Sequence, residues 1–168
     1  MKTKSILLTA FILPIFFIAQ ISSAKELSNR LGVGYADQFS ESMPGITVRY
    51  YPDPKLGISA VLAVDTEEEN SKFGFMAKLY RILGNEFMED NLNFYMGTGV
   101  GLISLEENNE SDSGFEIIAF YGAEFFFTGL ENLGFSFEAG VGVTSINSEV
   151  RFRTMGDHPI KAGMTFYF

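Results

Sequence analysis

The feature that most constrains this chain is a strict two-residue alternation that runs to its last residue. In Pro159-Ile160-Lys161-Ala162-Gly163-Met164-Thr165-Phe166-Tyr167-Phe168, one face reads Ile160, Ala162, Met164, Phe166 and Phe168, and the other Lys161, Gly163, Thr165 and Tyr167. Period two places successive side chains on opposite faces of a strand, so this segment reads as a strand rather than a fraying tail. The pattern recurs along the chain. With 17 Gly and 18 Phe, the composition suits strands and tight turns, not helices.

Residues 1–24 read as a secretory leader. Lys2 and Lys4 provide a positive start, Ile6 to Ile21 an apolar core broken only by Thr9, Pro14 and Gln20, and Ser22-Ser23-Ala24 small residues at the cleavage position. The apolar run is short and contains Pro14, which argues against a spanning helix. The expected domains are therefore a leader over 1–24 and a single β domain over 25–168. The chain has no Cys, which excludes lipid acylation at Cys, disulfides and Cys-based zinc sites. Its formal charge is −9, and loss of the leader leaves 10 of the 12 basic residues against all 21 acidic ones. That balance argues against nucleic acid as a partner.

Turn signals and alternation together predict eight strands, over 30–40, 45–51, 56–66, 72–83, 92–105, 115–128, 134–147 and 159–168. Three connections, at 51–55, 84–91 and 129–133, fall at one end. Four others, at 41–44, 67–71, 106–114 and 148–158, fall at the opposite end. In the sixth strand Phe115, Ile117, Ala119, Tyr121, Ala123, Phe125 and Phe127 oppose Glu116, Ile118, Phe120, Gly122, Glu124, Phe126 and Thr128. In the seventh, Phe135, Phe137, Ala139, Val141 and Val143 oppose Gly134, Ser136, Glu138, Gly140, Gly142 and Thr144. A soluble barrel has a richly charged outside. Here the less apolar face is mostly Gly, Ser and Thr with about one charge per strand, which suits the inside of a narrow barrel. The wholly apolar face then belongs against lipid.

The pattern, the leader and the terminal Phe168 together resemble the small eight-stranded outer-membrane barrels, the class of the OmpA transmembrane domain and OmpX. The resemblance covers the whole of 25–168 and implies an all-β, eight-stranded antiparallel up-and-down transmembrane barrel in the outer membrane. It also implies contact with outer-membrane lipids and lipopolysaccharide, a monomer, and assembly by the barrel-insertion machinery. Met164, Phe166 and Phe168 are the part that resembles the recognition signal of that machinery. No periplasmic domain is expected after the barrel, so peptidoglycan anchoring is not implied.

Inside the barrel, a five-residue connection centred on Glu131 would set Glu124 directly opposite Glu138. Two buried like charges need a cation or a shared proton. Arg49 and Lys78 share their facing and depth, so Glu124, Glu138, Arg49 and Lys78 are expected to form one cluster that blocks the interior. Glu116 and Lys161 are expected to pair nearer the other end. The cluster reads as a polar plug, because eight strands leave room only for side chains. A gated ion path is the second reading. A glycosidase-type carboxylate pair is remote, since a sugar could not enter.

His158 is the single histidine, and Ser145 and Glu149 lie across the same loop, so a hydrolase of outer-leaflet lipid can be drawn. This resembles the outer-membrane lipid A deacylases, but their paired His and Ser on one strand has no counterpart here, and Asp157-His158-Pro159 reads as a turn. The acidic stretches Glu67-Glu68-Glu69 and Glu106, Glu107, Glu110 and Asp112 could hold a divalent cation, yet lack the order of a calcium loop and read as solvated. Gly97-Thr98-Gly99-Val100-Gly101 sits mid-strand with no following helix, so it is no nucleotide loop; its glycines are expected to relieve crowding opposite Lys78. The expected protein is a non-catalytic structural or surface-interaction barrel without metal or cofactor. A lipid A hydrolase using His158, a soluble lipocalin-like lipid carrier and a narrow pore are its rivals.

Overall fold

A computed structural model describes residues 25–39, 43–67, 70–83, 91–107, 110–155 and 158–168. The leader, Glu41, Glu68, Glu69, Asp157 and most of the 84–91 connection lie outside that range. The chain is all-β: β1 Leu31–Asp37, β2 Pro44–Asp53, β3 Leu56–Asp65, β4 Lys72–Ile82, β5 Leu92–Glu107, β6 Glu110–Phe126, β7 Leu133–Ile146, β8 Glu149–Thr154 and β9 Lys161–Tyr167. Each strand from β1 to β7 pairs antiparallel with the next. The sheet closes because β9 pairs with β7 on one side and β1 on the other. β8 pairs with the far half of β7, from Val141↔Thr154 to Ile146↔Glu149, directly above β9. The result is a closed eight-stranded up-and-down barrel whose eighth position is shared by β8 and β9.

Two expected loops prove to be ladder. The segment expected as a loop over 148–158 contains β8, because Asn147 and Ser148 turn the chain in two residues. Both lie in the left-handed region, at φ 50° and 66°, the signature of a tight hairpin turn normally marked by Gly. The loop expected over 106–114 is likewise a continuation of β5 and β6, which pair as far as Glu107↔Glu110. Acidic and small residues there conceal the alternation. These hairpins make one end of the barrel tall. The other end is closed by short turns, such as Pro54-Lys55, where Asp53 Oδ1 accepts the Lys55 N–H at 2.8 Å.

The alternation sorts the side chains as read from the sequence, but around a polar interior. Exterior positions are apolar and open: Ile46 is 63% exposed, Phe115 47% and Phe166 52%. Interior positions carry Arg49, Lys78, Glu116, Glu124, Glu138 and Lys161, all buried. Bulky interior rings are accommodated by glycines on the neighbouring strand. Tyr80 lies against its ladder partner Gly57, Tyr95 against Gly122 and Tyr167 against Gly32; a Cβ on these glycines would come within 2.1, 2.6 and 2.6 Å of the respective rings. Gly99 serves Lys78 similarly, since a Cβ there would sit 3.0 Å from Lys78 Cγ. Leu27 fills the short-turn end, and Phe39, Met43 and Met155 belong to the same buried core at the long-hairpin end.

Candidate functional site

The interior charges come from four strands: Arg49 from β2, Lys78 from β4, Glu124 from β6 and Glu138 from β7. Each sits at an interior position of its alternation, so strand register alone converges them. The guanidinium of Arg49 bridges the two carboxylates, Nη1 donating to Glu124 Oε1 at 3.2 Å and Nη2 to Glu138 Oε1 at 3.3 Å. Lys78 Nζ pairs with Glu138 and also donates to the amide oxygen of Gln38. The charges therefore alternate along a chain, Lys78, Glu138, Arg49, Glu124, and sum to zero. Phenols complete the carboxylate shells: Tyr51 donates to Glu124 at 2.9 Å, Tyr167 to Glu124 at 2.6 Å and Tyr95 to Glu138 at 3.0 Å. Arg49 lies over the adjoining rings of Tyr80 and Tyr95, with Cζ 5.7 and 5.8 Å from their centroids, and Lys78 Nζ lies 4.2 Å from that of Phe120.

The register corrects one expectation. Glu124 faces Ser136, and Glu138 faces Gly122, so the carboxylates are diagonal rather than directly opposite. The connection winds through two successive turns, Leu130 N–H to Phe127 O at 3.0 Å and Leu133 N–H to Leu130 O at 2.9 Å, with Gly129 at φ +88°. That winding moves the pairing by two residues while keeping both side chains inside. The offset leaves Ser136 beside Arg49, whose Nη2 donates to its hydroxyl at 3.1 Å.

The expected pairing of Glu116 with Lys161 is not what forms. Lys161 stands on the rung of Glu138, whereas Glu116 is level with Thr144, six residues further along β7. Lys161 Nζ instead pairs with Asp37 at 3.5 Å, and Glu116 accepts from Thr144 Oγ1 at 3.3 Å. Met164, Phe166 and Phe168 lie along the exterior of the closing strand, and the Phe168 amide bonds to Leu31 O at 2.9 Å. Among the described residues no hydrogen bond or ion pair joins Ser145, His158 and Glu149. Ser145 sits in the ladder opposite Phe115 and Val150, Glu149 pairs with Arg151 at 2.9 Å, and His158 is exposed beyond the strands. Of the acidic loop residues, Glu106 accepts from Ser71 Oγ at 2.6 Å, and Asp112 from Asn147.

The four tyrosines, Gln38 and Ser136 were not among the residues singled out from the sequence. A signal was present: Arg49 and Tyr51, and Lys78 and Tyr80, are two apart, so each ring shares the face of its cation.

No protein-family model matches this chain, and no curated protein matches its sequence. Among solved structures, the N-terminal β-barrel domain of OprF from Pseudomonas aeruginosa superposes with a TM-score of 0.59 at 12% identity, covering 84% of this chain and 98% of that domain. The likeness places the chain in the class of closed, eight-stranded up-and-down barrels. At that identity it is a likeness of fold.

Proposed function

We propose that this chain is an integral outer-membrane β-barrel, exported through its leader and non-catalytic, with a structural or surface-interaction role. The observation that carries the reading is the inverted distribution of polarity. A continuous exterior of exposed Leu, Ile, Val and Phe surrounds buried Arg, Lys and Glu. Soluble proteins rarely expose contiguous apolar patches beyond a few hundred Å², and in lipid only helices and closed barrels satisfy every backbone group. A lipocalin-like carrier needs the reverse arrangement, an apolar interior with room for its ligand. Here the interior is occupied by the charge network and its tyrosines, which supports a polar plug over an ion path. The outer wall meets membrane lipid, with lipopolysaccharide at the long-hairpin end, and the barrel acts as a monomer.

The test is gel mobility in SDS of the membrane-extracted protein, boiled against unboiled. A heat-dependent shift in the outer-membrane fraction is expected; recovery as an unshifted soluble periplasmic protein would overturn the reading. Assembly is proposed to depend on β9 presenting Met164, Phe166 and Phe168 to the insertion machinery. Deletion of Phe168 should lower the folded, heat-shifting fraction in cells, and undiminished membrane levels would count against that role.

A further inference from the structure

Charged side chains on the exterior wall of the described strands fall in two places. Asp37 and Glu106 stand toward the long-hairpin end, while Arg81 stands near the short turns, opposite Leu56 on β3 and Met96 on β5; Asp53, on the far side of Leu56, turns its Oδ1 to the Lys55 N–H. Arg81 is exposed, and among the described residues it has no ion-pair partner. The neighbouring polar exterior side chain is already satisfied, since Thr98 Oγ1 donates to the Ile118 carbonyl at 2.8 Å.

Beside Arg81 the wall is indented. A groove bounded by Leu56, Leu79, Met96, Thr98 and Ala119 begins at the guanidinium. Its floor is low because Thr98 and Ala119 are ladder partners and both are small. A second groove shares Leu79 and Thr98 and continues over Ala77 and Ala60, another small ladder pair. A cation at the head of an apolar furrow complements an amphiphile with an anionic head and a hydrocarbon tail. The guanidinium fork matches phosphate oxygens in geometry as well as charge.

We infer that this face holds one anionic glycerophospholipid of the leaflet at the short-turn end, its phosphate on Arg81 and one acyl chain in the groove past Thr98 and Ala119. The inference rests on the membrane reading above. A cation that merely reaches toward the headgroup region draws anionic lipid into its leaflet without fixing it to one face; one seated beside a groove concentrates that lipid at the groove.

The chain contains no Trp, so a single introduced Trp is an unambiguous reporter. Met96→Trp reports from the groove, Leu79→Trp is the replacement reporter where Met96→Trp gives no heat shift, and Met164→Trp reports from the distant β9 wall. Each is refolded into phosphatidylcholine vesicles containing brominated phosphatidylglycerol or, at the same mole fraction, brominated phosphatidylcholine. The groove reporter should be quenched by the glycerol lipid as though it were enriched about fivefold, the factor one basic residue contributes near anionic lipid. Arg81→Gln should abolish that preference, and Met164→Trp should show none. Equal quenching by the two lipids in the groove, a preference equal at Met164→Trp, or a preference that survives Arg81→Gln overturns the site. Absence of quenching by either lipid at every position, together with no heat shift, overturns the membrane reading and the site with it.

Discussion

Arg49 is the side chain on which the interior depends, because among the described residues it alone touches both Glu124 and Glu138. Removing one member of a buried ionic network leaves the others desolvated and unpaired, at a cost of about 3–5 kcal/mol. Arg49→Ala should therefore lower stability by about that amount. Glu124→Gln should cost less, because an amide oxygen in place of Oε1 still accepts from Arg49 and Tyr167 (3.2 and 2.6 Å), and the amide nitrogen in place of Oε2 can donate to the Tyr51 hydroxyl. Urea midpoints in vesicles would show the order, and unchanged midpoints for both would remove the network's structural role. The four charged residues were legible in the sequence, because parity within a strand puts them inside. Their exact partners were not, because side-chain reach across the barrel depends on eight registers at once. Lys161 illustrates the gap: its facing was correctly read, yet it reaches Asp37 rather than Glu116.

Among the elements, β8 is the one that sequence reading passed over. Its hairpin is set by Asn147 and Ser148 in the left-handed region, where a residue other than Gly or Asn costs about 1–2 kcal/mol. A β-branched residue at the second position should be poorly accommodated, so Ser148→Val should loosen β8 from β7. Amide exchange at Arg151 and Arg153, whose N–H groups point to β7, should then accelerate about tenfold, the equivalent of roughly 1.4 kcal/mol, while Ser148→Gly should slow it. Unaltered exchange in both variants would mean that β8 is held by something other than its turn. The same local blindness applied to the upper part of β5 and β6, where Glu106, Glu107 and Glu110 read as loop. Backbone pairing tolerates acidic residues that composition assigns to a turn, because the ladder is made by main-chain groups.

For the whole molecule, the distinguishing property is which side of the wall is wet. Val100 is 57% exposed at mid-strand on the exterior. In a bilayer, Val100→Arg should cost about 2–4 kcal/mol, the penalty for a cation on the lipid face of a barrel near the midplane. In a water-soluble barrel the same change would be close to neutral, so the refolding yield of this one variant in vesicles discriminates the two settings. The sequence by itself determined the all-β class, the alternation of faces and the residues that turn inward, because these follow from the two-residue period of a strand and need no knowledge of neighbours. It also carried the contrast between a wholly apolar face and a small, sparsely charged one. Only the tertiary structure decided the rest: that Glu124 and Glu138 stand diagonally with Arg49 between them, that Tyr51, Tyr95 and Tyr167 close around the carboxylates, and that Arg81 heads a furrow. Those relations depend on registers summed around a closed ring, and each register is set by turn geometry and packing that no single segment contains.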